Sequence, residues 1–152
     1  LVFTTVLDRT TLGIEDEDEA PEPRDRAYWE NGRGSAKTLA TVDQVLALIQ
    51  NSAEPAAQLK YNKYYIGIAI NGVAQNFVSF KPRQGHLIIS FKLPFDEARR
   101  EAAERRGLVV LAYSKQWNQF RISVRPDEVE ANSEFLSELV KAAYANYGSQ
   151  GT

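Results

Sequence analysis

Basic and aromatic side chains interleave through the middle of this 152-residue chain in a pattern that suits contact with a polyanion. Tyr61, Lys63, Tyr64 and Tyr65 are followed by Phe77, Phe80, Lys81 and Arg83, and then by Lys92, Lys115, Trp117 and Arg121. Aromatic rings stack on bases, while ammonium and guanidinium groups neutralise phosphates. Lys63, Lys81, Arg83, Lys92, Lys115 and Arg121 are therefore candidate phosphate contacts, with Tyr65 and Trp117 as candidate stacking rings. A plainer reading stands beside this one. Tyrosine and phenylalanine are favoured in strands, and about half of such rings enter a core.

Other chemistry finds little support. His86 is the only histidine and cysteine is absent, so no thiolate or multi-histidine metal site can be assembled, and a turn histidine is expected. Asp96, Glu97, Glu101 and Glu104 cluster, but at helical spacing among arginines, where exposed pairing accounts for them. No serine–histidine–aspartate order, nucleophile elbow, phosphate-cradling glycine loop or dinucleotide fingerprint is present. The expected strands contain no Asp or Glu with which to build a metal-dependent nuclease site. We expect neither catalysis nor a cofactor.

Charge is sorted along the chain. Residues 1–55 carry 5 Lys/Arg against 11 Asp/Glu, residues 56–125 carry 12 against 4, and residues 126–152 carry 1 against 5. The formal net charge of −2 therefore conceals a strongly basic middle. That middle holds most of the expected strands, so a positive field on the sheet is expected unless the acidic ends fold back over it. The length and a 43% hydrophobic content suit one ordinary core. Lack of cysteine suits a reducing, cytoplasmic setting, and no apolar run approaches the roughly 20 residues needed to cross a bilayer. Methionine is absent even at position 1, as expected of a segment cut from a longer polypeptide.

The elements that must position these residues follow from periodicity. Leu1 to Leu7 reads as a β-type stretch. Glu15 to Glu19 with Ala20-Pro21-Glu22-Pro23 reads as an extended acidic linker, because like charges repel and proline interrupts helices. Tyr28 and Trp29 should anchor the chain to the folded part. Leu39, Val42, Val45, Leu46 and Ile49 form a helical stripe after the Asn31–Ser35 turn cluster, with Ser35 or Thr38 as cap. YYIGIAI alternates as a strand, Asn71-Gly72 is a type I′ hairpin signal, and Gln75 to Lys81 returns. A two-residue loop would place Phe77 with the isoleucines, and a three-residue loop would place Val78 and Phe80 there.

Pro82 to Gly85 turns the chain into a strand at His86 to Leu93. A helix over Pro94 to Arg106 stops at Gly107. Strands follow at Leu108 to Tyr113 and Gln119 to Val124, then a helix from about Ser133. The pattern predicts an α+β domain over 27–148, ordered α-β-β-β-α-β-β-α, with an antiparallel sheet of about five strands and helices on one face. Residues 1–26 are expected to be the strand-like stretch and linker, and 149–152 a tail.

The stretches YNKYYIGIAINGVAQNFVSFKPRQGHLIISFKLP, GLVVLAYSKQWNQFRISV and FLSELVKAAYANYG carry a resemblance. They show N-F-V after a hairpin turn, a "KP" turn, a late "Y…W" hairpin and a closing helix ending in "AY". In these the chain resembles, over roughly 27–148, a bacterial family of unknown function labelled a predicted transport-protein domain, found at the C-terminus of larger proteins. The layout is also similar to the YjbR/CyaY-like, frataxin-like double-wing superfamily, some of whose members have been proposed to bind DNA. The resemblance implies the α+β layout and no catalytic residues.

Two functions remain open. One is a non-catalytic accessory domain of a larger bacterial protein that contacts DNA or RNA through its sheet. The other is an interaction domain docking its own upstream region or a second copy, with an exposed apolar patch around Tyr28, Trp29 and Trp117. A small-molecule site would need the space left on one sheet face by Gly67 and Ala69.

Overall fold

A computed structural model describes residues 22–151; the expected β-type stretch at Leu1 to Leu7 and the acidic run Glu15 to Glu19 lie outside the described residues. Helix α1 spans Arg26–Glu30, with the Asp25 carboxylate accepting from Tyr28 N. Helix α2 spans Ala36–Ser52. Its first turn is closed by a reciprocal capping box between Ser35 and Thr38, which satisfies two otherwise orphaned N–H groups. The buried stripe is Leu39, Val42, Val45 and Ile49. Ala53 and Glu54 both donate back to the Ile49 carbonyl, and Pro55 prevents another turn.

The strands are β1 (Ala57–Tyr61), β2 (Ile66–Ile70), β3 (Val73–Ala74), β4 (Val78–Pro82), β5 (Leu87–Lys92), β6 (Val109–Val110) and β7 (Gln119–Val124). They form one antiparallel sheet in the order β1-β2-β4-β5-β7-β6, with β3 pairing β2. Asn71 (φ 54°) and Gly72 (φ 81°) make the two-residue turn, and Ile70 faces Val73 across it. The register then shifts, because Ile66 pairs with Phe80 rather than Phe77. Residues 75–77 bulge out, and Phe77 N donates to Gln75 O. Asn76 replaces the lost backbone partner: its Oδ1 accepts from Ile68 N at 3.0 Å. The bulge lets Phe77, Val78 and Phe80 all enter the core, so both alternatives left open by the turn are realised together.

Seven strands replace the expected five. β1 lies before the alternating stretch, the bulge divides the returning strand, and the apolar run at Leu108 to Tyr113 pairs as strand only at Val109–Val110. Helix α3 (Glu97–Arg105) is capped by Asp96, and Gly107 (φ 82°) follows its end. A short α4 (Glu128–Ala131) precedes α5 (Ser133–Gly151), which runs past the expected boundary at 148. The linker also ends earlier than expected: Lys63 N donates to Glu22 O, and Arg24 N donates to Tyr61 O, tying residues 22–24 beside β1.

One core unites the α2 stripe, Leu136, Leu139, Val140 and Ala143 of α5, and the inward strand residues Ile66, Ile68, Phe80, Leu87, Ile89, Phe91, Phe120, Ile122 and Val124. Each such side chain contributes roughly 1.5–3 kcal/mol when fully buried. The result is the α+β class, an antiparallel sheet with helices. No helix is long and apolar enough to cross a membrane among the described residues.

Candidate nucleic-acid interface

Strand alternation sends Lys60, Lys81, Lys92 and Arg121 to the sheet face opposite the core. Ser79, Ser90 and Arg121 line up across that face in register, as do Lys81, Ile88 and Ser123. This face is not an open cationic platform. Ser79 and Ser90, at its centre, are each 5% exposed, and Gln119 is 6% exposed. Tyr65, a candidate stacking ring, is buried. Arg121 turns along the sheet and donates to the Ala112 carbonyl from Nε at 3.3 Å and from Nη2 at 3.0 Å. Lys92 Nζ reaches the Trp117 carbonyl at 3.4 Å. The space expected over Gly67 is filled, since a Cβ there would lie 2.3 Å from Asn76 Oδ1 and 3.1 Å from Tyr65 Cε2.

The eight candidate residues therefore fall in three places. Lys81, Lys92 and Arg121 occupy the second sheet face, with Tyr65 beside it. Lys115 and Trp117 sit in the β6–β7 loop, Lys115 exposed and Trp117 half-buried. Trp117 Nε1 is buried and finds no acceptor among the described residues. Lys63 and Arg83 lie at one end of the sheet, where two further residues join them.

That end is built by two loops that dock on Trp29 and by the β4–β5 turn, which docks on one of them. The indole is fully buried; its Nε1 donates to Asn62 O at 2.8 Å, and its carbonyl accepts from Gly34 N at 2.9 Å. Tyr28 Oη donates to Lys63 O. The Gly32–Ser35 loop locks onto the β4–β5 turn: Gln84 Nε2 donates to Gly32 O at 3.0 Å, Ser35 Oγ to Gln84 O at 3.0 Å, and Thr38 Oγ1 to Arg83 O at 2.9 Å. Gly34 is required by this closeness, because a Cβ there would stand 2.9 Å from Pro82 Cβ.

The docking sets Arg33, between two glycines, beside Arg83. The Arg33 guanidinium lies over Trp29 (5.9 Å to the ring centroid) and Tyr64 (5.4 Å), and Lys63 Nζ lies over Tyr64 at 5.3 Å. Neither Arg33 nor Arg83 has a carboxylate partner among the described residues. Lys63 reaches Glu22 at only 3.9 Å. Burial first, and then the charge of Arg33, holds the Arg83 guanidinium below the usual arginine pKa. Two cations held together without a counter-charge store electrostatic free energy that a bound anion releases.

Arg33 and the platform role of Trp29 escaped sequence reading. Asn31–Ser35 and Pro82–Gly85 each register as a turn, but nothing local says that the two turns meet. His86 is half-buried at the start of β5, and its carbonyl accepts from Arg83 N. No group of three or more histidine, cysteine, aspartate or glutamate side chains able to hold a metal occurs among the described residues. No family model, curated protein or solved structure matches this chain.

Proposed function

We propose that this chain is a non-catalytic accessory domain that binds nucleic acid through phosphate contacts. The observation that carries the reading is the juxtaposition of the exposed Arg33 and the half-buried Arg83, neither with a carboxylate partner among the described residues, with Lys63, 3.9 Å from Glu22, beside them. The sheet-face residues Lys81, Lys92 and Arg121 and the loop residues Lys115 and Trp117 are secondary contacts in this reading. Tyr65 is withdrawn as a stacking ring by its burial, and Tyr64 takes its place beside the cations.

Three phosphate contacts give log K a slope of about −2 to −3 against log salt, a loss of roughly 15–60-fold between 50 and 200 mM. Fluorescence anisotropy with labelled single- and double-stranded DNA and RNA at these two concentrations tests the proposal. Absence of binding to every probe at low salt would sink it.

A second reading, self-association or docking to a partner protein, draws on a different place. Phe95 is 56% exposed and packs edge-on against Tyr113, on the Val110 side of the edge strand β6. The patch is not the expected one, since Trp29 is fully buried. A solution mass above monomer that falls to monomer in Phe95→Asp would favour this reading.

A further inference from the structure

We infer that Arg33 and Arg83 form a seat for a terminal phosphate, the phosphomonoester at the end of a nucleic-acid strand, rather than for the internal phosphodiesters alone. This rests on the nucleic-acid reading above and adds what part of the strand is held there.

The first argument is charge. An internal phosphodiester carries one negative charge, whereas a terminal monoester carries about −1.5 to −2 near neutral pH and presents three acceptor oxygens. Two adjacent arginines with no carboxylate between them are matched by the second and left half-neutralised by the first. Lys63, whose only acidic neighbour among the described residues stands at 3.9 Å, supplies a third donor at the rim.

The second argument is geometry. The Arg33 guanidinium carbon lies 5.9 Å from the Trp29 ring centroid and 5.4 Å from that of Tyr64, and its N–H groups make no hydrogen bond among the described residues. Those N–H groups are the ones that grip phosphate bidentately. The stem of the loop is fixed by the bonds of Gln84 to Gly32 and Gly34, so little ordering remains to be done on binding. The third argument is extent. These cations converge at one end of the sheet, while Ser79 and Ser90 at the centre of the second face are buried, so among the described residues the secondary contacts on that face form no continuous track with the seat. A compact seat without a track suits an end better than a run of backbone.

The test uses the full chain and one 12-nucleotide single strand in three forms: 5′-phosphate, 3′-phosphate and unphosphorylated. Anisotropy at 50 mM salt is expected to show at least one phosphorylated form binding about tenfold or more tightly than the unphosphorylated strand. Comparing the two phosphorylated forms tells which end is seated. Arg33→Ala and Arg83→Met should each abolish that preference, while Arg100→Ala keeps it. Inorganic phosphate and pyrophosphate are added as competitors, and a far-ultraviolet melt confirms that each variant folds.

Equal affinity for all three forms, with binding retained, overturns the terminal-phosphate seat and leaves nucleic-acid binding standing. A preference that survives in both arginine variants overturns the assignment to these residues. Failure of all forms to bind removes both readings. Competition by pyrophosphate that is lost in Arg83→Met supports the seat independently of any base contact.

Discussion

Arg26 and Arg33 flank the same short helix and meet opposite fates. Arg26 is enclosed by acceptors: Asp43 of α2 takes two bonds, at 2.7 and 3.1 Å, Glu30 takes one at 2.9 Å, and Tyr61 Oη stands at 3.0 Å. The Asp43 hydrogen bond, ahead of the smaller contributions of Tyr61 and Glu30, raises its pKa above the ordinary arginine value despite desolvation. Arg33 meets only rings and another arginine. Two arginines of α3 resemble Arg26, Arg99 beside Asp96 and Arg100 paired to Glu97 and Glu104, whereas Arg105 has no carboxylate partner among the described residues. A count of basic residues therefore says little about a binding surface. What matters is which cations the fold leaves without a counter-charge.

That contrast can be broken at its common support first. Trp29→Ala removes a fully buried indole that ties α1 to Asn62 and lies under Arg33, and should cost about 3–5 kcal/mol in urea unfolding. A smaller effect is expected at the paired arginine. Arg26→Ala should cost about 1 kcal/mol, since its side chain and that of Asp43 are 35% and 49% exposed and solvent screens the pair. Oligonucleotide affinity should be unchanged in that variant.

Arg83→Met carries the opposite sign. Replacing a desolvated cation beside a like charge with an apolar chain of similar length should leave stability unchanged or raise it by up to about 1 kcal/mol. Binding should fall in the same variant. A clear loss of stability in Arg83→Met would show that Arg83 is structural, and would erase the distinction from Arg26.

A pair far from both arginines sharpens the comparison further. Tyr144 Oη donates to Glu54 at 2.9 Å, joining α5 to the end of α2, and this bond, aided by desolvation, raises the phenol pKa. The folded chain thus holds this proton more tightly than the unfolded chain. The stabilisation is complete below the ordinary tyrosine pKa near 10, and is lost as pH rises through the higher folded value. Tyr144→Phe should therefore lose less of its stability between pH 9 and pH 11 than the parent does, with oligonucleotide binding at neutral pH unaffected. Thermal melts across that range read the difference.

Much of the fold was legible because its signals are local. The α2 stripe, a cap at Ser35 or Thr38, the Asn71-Gly72 turn, Gly107 after α3, and the alternation of β5 and β7 each depend on residues within a few positions of one another, whereas the helix expected from Pro94 begins only at Glu97, after its Asp96 cap. The shift of register after β3 was not legible. It depends on Asn76 reaching Ile68 N, and on Gly67 having no Cβ to block it, a contact across strands. The length of β6 was also hidden, because an apolar run reports burial and not pairing.

The candidate site divides in the same way. Arg83 stands out as a basic residue in the Pro82–Gly85 turn and Lys63 as one interleaved with tyrosines, and both lie at the end that Arg33 joins. Lys81, Lys92 and Arg121 share a strand face as alternation requires, yet alternation carries no information on how open that face is. Arg33 sits in a glycine turn 50 residues from Arg83.

The amino-acid order by itself determined the three longer helices, the Asn71-Gly72 hairpin, the α+β class and the supply of positive charge in the middle of the chain, but not the short α1 and α4 or the strand β1. Periodicity, caps and turn residues act over a few bonds, so they can be read without coordinates. Helical spacing already paired the arginines beside Asp96, Glu97 and Glu104, but only the tertiary structure decided that Arg26 meets Asp43 while Arg33 and Arg83 meet no carboxylate among the described residues. Electrostatic pairing depends on distance in space, and here that distance is set by two loops closing on one buried tryptophan and by the β4–β5 turn locking onto one of them.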